Sequence, residues 1–310
     1  MEIKIFTSEN AKQFADIVKD IARQTASIPD VPEGVNEAVF GCKRVNGVLT
    51  YGWYQASLVQ VKPFSYYATH LDELGPILNQ HYVGAIDLSK IWKVGDVMEN
   101  IPLSSIAASS LGGDAQSAQN IDLVILDFNH DDKTDGSGKA AVTLGQKDLL
   151  LASGNFYSSY DVRDYAKYFD SARKTWLNSN YKSALPSELQ SLIKSVNKVT
   201  GYPTNSDNSQ TTKTTSEDCW LPSNWEVFGS NYSSYTSIAD GTQYPYYASQ
   251  SNRIKKIGKT GSNTAWWTRS GYWINLFVGK GARFVLCDSD GLQSGAFAES
   301  RDGLAPCFCL

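Results

Sequence analysis

The chain has 310 residues, with 19 % charged and a formal net charge of -4, so no basic field is present to hold nucleic acid. No apolar run approaches the roughly 20 residues needed to span a bilayer, and "MEIKIFTSEN" has neither a basic n-region nor an apolar h-region. No signal peptide and no membrane insertion are therefore expected, and synthesis in a cytoplasm is. The cysteines number five, Cys42, Cys219, Cys287, Cys307 and Cys309, without CxxC pairs, which argues for reduced thiols rather than a zinc site or a disulfide framework.

Thr7 or Ser8 can cap a helix running to about Gln24, with Ala11, Phe14, Ala15, Val18, Ile21 and Ala22 on one stripe. The stripe suits either docking on its own domain or a seam between identical chains. Pro29, Pro32 and Gly34 end it. From Ala38 to Pro63 the period becomes two, and Asn46-Gly47 between β-branched residues predicts a hairpin. "LDELGPILNQ" predicts a short helix broken at Gly75-Pro76. Residues 86–151 predict strands and long loops, with "IDLVILDFNHD" (121–131) a buried strand.

The following "NHDDKTDGSGK" is dense in carboxylates and invites a calcium reading. It lacks the D-x-[DN]-x-[DN]-G spacing and the closing Glu, so a solvated turn is expected, with His130 as a hydrogen-bonding loop residue. Two helices are predicted over 170–200: Ala172, Trp176 and Leu177 line the first, and Pro186 starts the second, with Ser187 to Val196 as its body. Residues 201–219 are rich in Ser, Thr and Asn and predict a surface loop. "CWLPSNWEVFG" predicts a strand end and a short helix. "AWWTRS", "RFVLCDSDG" and "LAPCFCL" predict three strands, the last with Cys307 and Cys309 on one face and Phe308 on the other.

These segments in order carry a resemblance. "VGD" (94–96), "FNHDDKTDGSGKA" (128–140), "WLNSNY" with "ALPSEL" (176–189), "WLPS" with "EVFG" (220–229), "QYPYYA" (243–248), "WWTRS" (266–270) and "GLAPCFCL" (303–310) resemble a bacterial and phage family of uncharacterised domains related to the C-type lectin fold. The likeness covers about residues 84–310. It includes the variable proteins of diversity-generating retroelements, whose C-terminal cassette is mutated at adenine positions. The resemblance implies an α+β, C-type lectin-like fold with short antiparallel strands, two helices and long loops. Residues 1–83 would form a preceding helix and β-rich segment for attachment or oligomerisation. "TSENAKQFADIVKDIA" resembles the N-terminal helix of many phage tail proteins, which implies a virion location and a homotrimer about Phe14, Val18 and Ile21.

On this reading the diversified region is about 265–303. Trp266, Trp267, Phe284, Val285 and Cys287 would face the scaffold. Tyr272, Trp273, Asn275, Leu276, Phe277, Leu286, Asp288, Asp290, Leu292, Gly295, Phe297, Glu299 and Arg301 would form one contiguous binding patch for a protein or glycan on a cell surface. The alternatives are a structural virion protein without variable binding, or a formylglycine-generating-type oxidase using Cys307 and Cys309. A reactive thiol needs partial exposure and an electropositive neighbour, whereas "PCFC" is an apolar terminal segment. No Ser-His-Asp order, phosphate loop or paired-carboxylate motif stands out, so neither enzymatic activity nor a metal or other cofactor is expected.

Overall fold

The apolar run at 121–126 is the centre of strand β4 (Gln119–Phe128), and every residue of the run is buried. The computed structural model describes residues 61–310 except 109–114, 157–165, 205–208, 234–235 and 275–280; before residue 61 it describes only the backbone of two strands. Two compact units divide the chain, residues 1–61 and 62–310. In the first unit, β1 (Ala38–Val45) and β2 (Val48–Gln55) pair antiparallel. Val45 lies opposite Val48, leaving only Asn46-Gly47 between the strands, as the hairpin signal requires. The expected N-terminal helix and its stripe of Phe14, Val18 and Ile21 lie outside the described residues.

The second unit is α+β, with short antiparallel sheets and short helices. Its largest sheet has the order β3-β4-β5-β12-β8, formed by Val97–Leu103, Gln119–Phe128, Val142–Gln146, Cys307–Cys309 and Cys219–Trp220. The end of the chain thus fills the middle of the sheet, with Phe308 between Leu144 and Cys219. A second sheet has the order β11-β10-β9, formed by Gln293–Phe297, Gly281–Cys287 and Trp266–Ile274. Strands β6 (Val196–Pro203) and β7 (Gln210–Glu217) make a separate hairpin. Among the described residues no helix is long and apolar enough to cross a membrane.

Three sequence expectations change. Helix α1 (Leu74–Tyr82) runs through Gly75-Pro76 instead of breaking there. Pro76 falls in the first turn, where its missing N–H has no helical acceptor to lose. The helix begun by Pro186, α4 (Ser187–Leu192), is shorter than expected, because Val196 already opens β6. The Ser/Thr/Asn-rich segment is mostly strand rather than loop: the threonines of "QTTKTTSE" are β-branched and pair against β6 residue by residue.

Local chemistry sets the remaining elements. Helix α2 (Ala172–Trp176) is capped by Ser171 Oγ, which accepts from the Lys174 N–H at 3.2 Å. It continues through a π-helical turn, Leu177–Tyr181, into α3 (Lys182–Ala184). That turn projects Asn178, whose amide donates to the Cys219 carbonyl at 3.0 Å and accepts from the Asp218 N–H at 2.7 Å, tying the helix to β8. Helix α5 (Asn224–Phe228) has a reciprocal capping box: Ser223 Oγ accepts from the Glu226 N–H, and Glu226 Oε2 from the Ser223 N–H. Gly229, at φ +65°, closes it in the left-handed conformation that suits glycine.

Candidate functional site

Strand β9 carries the tryptophan pair expected to belong to the scaffold. Both rings are fully buried. Trp266 Nε1 donates to the Arg253 carbonyl at 2.8 Å and Trp267 Nε1 to the Gly154 carbonyl at 2.6 Å, so each polar edge is satisfied. Phe156 stacks on Phe284 at 3.7 Å between ring centroids and meets Trp267 edge-on at 5.0 Å. Phe284, Val285 and Cys287 are also wholly buried, consistent with scaffold positions.

The expected contact residues divide into three groups. Tyr272, Trp273 and Leu286 are buried at 1 %, 5 % and 5 % exposure, so the expectation that they form surface contacts is corrected. Hairpin β6-β7 lies against β9: Arg269 Nη2 donates to the Val199 carbonyl at 2.8 Å, and Gln210 Nε2 to the Gly271 carbonyl at 3.2 Å. Tyr272 then joins Ile274 and Val285 in a small core, with Tyr232 edge-on at 5.6 Å. Asn275, Leu276 and Phe277 lie outside the described residues.

The third group is the edge strand β11 and its flanking turns. Phe297 and Gly295 are half-buried, and register aligns Tyr272, Arg283 and Phe297 in one cross-strand row. The Arg283 guanidinium lies 3.9 Å over the Phe297 ring, within cation–π range. Gly295 serves as a slot, since a Cβ there would fall inside the van der Waals envelope of Tyr272 Oη. Asp288 shapes the β10-β11 turn: its Oδ1 accepts from the Asp290 and Leu292 N–H groups at 2.9 and 2.8 Å. Asp290, Leu292 and Arg301 are exposed and Glu299 is half-buried; Leu292, at 50 %, stands out as a large apolar side chain in water.

Beneath this sheet lies a buried ionic network that the sequence reading missed. Arg269 donates from Nη1 and Nη2 to the Glu226 carboxylate at 2.5 and 2.9 Å, to the Leu221 and Val199 carbonyls, and from Nε to Thr200 Oγ1. All five guanidinium N–H groups are thereby used. Lys198 pairs with Glu226 and with Asp131 Oδ1, and donates to Tyr244 Oη at 2.9 Å. Thr143 Oγ1 closes on Asp131 Oδ2 at 2.7 Å. Asp240 accepts from Ser270 Oγ at 2.5 Å and from the Gly201 N–H at 3.1 Å.

Burial alone would push each of these groups toward neutrality. Lys198 and His130 outweigh it at Asp131, holding that carboxyl well below the usual range. Arg269 and Lys198 do the same at Glu226, and the Asp131 and Glu226 carboxylates hold the Lys198 ammonium above its ordinary value. Burial prevails at Asp240, whose carboxyl is raised despite Arg269 and Ser270. The expectation of a solvated turn at 129–139 is thus corrected for Asp131, which is buried, while Asp135 to Lys139 are exposed. His130 does hydrogen-bond, to Asp131 Oδ1 at 3.2 Å. The available signal was alternation: Lys198 stands between Val196 and Thr200 on the inward face of β6, and Arg269 follows two tryptophans in a buried strand.

Cys307 and Cys309 are fully buried. Burial pushes the Cys307 thiol up to about 12 and raises that of Cys309 well above its ordinary value. Their environment disfavours thiolates, the opposite of what a nucleophilic pair requires. Among the described residues no group of three or more His, Cys, Asp or Glu is arranged to hold a metal ion.

Residues 143–310 match the model of a family described as a domain of unknown function (DUF6273). The chain belongs to this family. The match begins in β5 and contains Lys198, Glu226, Asp240 and Arg269, so the DUF6273 domain supplies most of the ionic network. Asp131 and strands β3 and β4 precede the match, yet complete the network and the five-stranded sheet. No curated protein and no solved structure matches the chain.

Proposed function

We propose that this DUF6273 protein is a ligand-binding protein, with a lectin-like domain whose contact surface is built on edge strand β11 and its flanking turns. One observation carries the reading. Scaffold positions of the resembling tails are wholly buried, while Asp288, Asp290, Leu292, Gly295, Phe297, Glu299 and Arg301 all retain exposure. Rigid strands beneath and accessible side chains above suit a surface whose residues change while its frame is kept. Diversification by a retroelement, a trimer about Phe14, Val18 and Ile21, and a place in a phage tail belong to the same proposal and rest on the sequence resemblance. The ligand class is a protein or glycan on a cell surface.

The test is binding of the purified protein to intact bacterial cells and to immobilised glycans. The double variant Leu292→Ala/Phe297→Ala is expected to weaken binding about tenfold or more while keeping the melting temperature within a few degrees. Equal binding by the variant, or none by the native protein across both formats, overturns the reading.

A further inference from the structure

Arg283 lies between Tyr272 and Phe297 in the cross-strand row of the second sheet. Tyr272 is buried on the inner side, and β11 is the sheet's edge, so Phe297 is the outermost member of the row. The guanidinium leans to that outer side, 3.9 Å from the Phe297 ring centroid. The ring in turn rests at Gly281, where a Cβ would meet Phe297 Cε1 at 3.2 Å. Glycine at 281 thus leaves room for the ring, and the ring holds the cation on its face.

Nothing in the chain uses the donors of this guanidinium. Arg283 Nε is enclosed and has no hydrogen-bond partner. Nη1 and Nη2 have no protein acceptor either, but they are not enclosed and so meet solvent. Among the described residues no carboxylate lies within ion-pair distance of Arg283. Asp288 and Asp290 lie past the Cys287–Gln293 pair, at the other end of the ladder, and Asp288 is engaged with two backbone N–H groups. Glu299 follows the end of β11 and forms no ion pair with Arg283. A single planar cation with its Nη edge in solvent and no counter-ion matches the two oxygens of one carboxylate. Stacking on Phe297 orients it in advance, which lowers the ordering cost of binding. The same surface is poor in apolar anchors: Leu292 is the only exposed large apolar side chain among its described residues. Protein partners are held by clusters of such anchors, so a polar, sugar-like ligand suits this surface better.

We infer that Arg283 determines ligand specificity on the β11 surface by taking the carboxylate of an acidic sugar, its two Nη groups donating to the two oxygens. The inference rests on the proposed contact surface and narrows its ligand class.

The experiment is saturation-transfer NMR titration of the full chain with three probes: sodium glucuronate, glucuronamide, in which a neutral amide replaces the carboxylate, and N-acetylglutamate as the peptide-like acid. Glucuronate is expected to bind, with affinity falling as sodium chloride is added. Losing the charge-assisted contact is expected to weaken binding about tenfold or more. Glucuronamide should show that loss with the native protein, and R283Q should show it with glucuronate. R283K keeps the charge without the planar fork and should fall between. K90Q/K93Q, at exposed lysines distant in sequence from the second sheet, should bind as the native protein does. The glucuronamide comparison needs no variant, so it decides the matter even if R283Q does not fold. No binding of glucuronate, equal affinity for glucuronate and glucuronamide, or undiminished glucuronate binding by a folded R283Q overturns the inference. Binding of N-acetylglutamate in place of glucuronate overturns the sugar assignment. Failure of the contact surface itself is read separately, on intact cells, with the Leu292→Ala/Phe297→Ala variant.

Discussion

Glu226→Ala tests how the buried network holds the domain. The Glu226 carboxylate accepts two hydrogen bonds from Arg269, pairs with Lys198 and caps its own helix through the Ser223 N–H. Truncation leaves Arg269 and Lys198 buried, with Asp131 as their remaining strongly ionised partner. Removing one member of a buried ion pair costs about 3–5 kcal/mol, since the cation left behind keeps its desolvation penalty. Against a net stability of roughly 5–15 kcal/mol that is a large fraction. At about 2–4 °C per kcal/mol for a domain of this size, the melting temperature should fall by about 6–20 °C. Glu226→Gln keeps one acceptor oxygen and should lie between. The assay is thermal unfolding followed by circular dichroism at pH 7, with guanidinium titration to check that m is unchanged. The pH sense is also fixed. Because the folded pKa of Glu226 is depressed, its contribution is present above the unfolded value near 4.3 and is lost as pH falls through the folded one. The native-minus-variant difference should therefore shrink on acidification. A fall of less than about 2 °C at pH 7 would refute the view that Glu226 neutralises these cations.

Lys255 is wholly buried, and burial lowers its ammonium to about 8. Between that value and about 10.4 the unfolded chain binds a proton that the folded one does not, so this residue makes stability rise with pH there. Lys255→Met should remove that component, up to about 3 kcal/mol, visible as the native-minus-variant difference across a pH 7–10 series of denaturant titrations; a difference independent of pH would sink the idea. Gly295→Ala should destabilise by about 1–3 kcal/mol through overpacking against Tyr272. Tyr272→Phe should recover part of that loss in a double-mutant cycle, and strict additivity in thermal unfolding would show that the two positions do not touch.

Strands with unbroken apolar character were legible from sequence. The run at 121–126, the tryptophan pair and "PCFC" each announced burial, and each became sheet. The Asn46-Gly47 hairpin and the short helix within "CWLPSNWEVFG" were legible too, because their signals are local. What failed was non-local. Threonine and lysine in "QTTKTTSE" gave the composition of a loop, and only pairing with β6 makes it a strand. The depth of Tyr272 likewise rests on residues distant in sequence, Val285 and Tyr232, which pack against it. Asp131 sat among exposed carboxylates and glycines, and nothing nearby in sequence marks it as the partner of Lys198, which is 67 residues away.

The same long-range packing changes what variation in the tail could accomplish. A scheme in which core strands and surface positions vary independently needs each surface residue to end in solvent. Asp290, Leu292 and Arg301 meet that condition, being exposed. Gly295 does not, because any Cβ there displaces the Tyr272 hydroxyl, and Tyr272 packs with Ile274, Val285 and Tyr232. Replacement at 295 is therefore a core event expressed at a surface position, tolerated only with a smaller side chain at 272. Phe297 is intermediate: it keeps part of its ring in solvent, yet Arg283 stacks on it and Gly281 admits its edge. Three-residue coupling along the row Tyr272–Arg283–Phe297 follows from register alone. Libraries randomised at 290, 292 and 301 should then yield folded proteins at a high rate, as judged by soluble expression and cooperative melting. Libraries randomised at 295 should yield them chiefly when 272 is randomised too, and equal yields from 295 alone would refute the coupling.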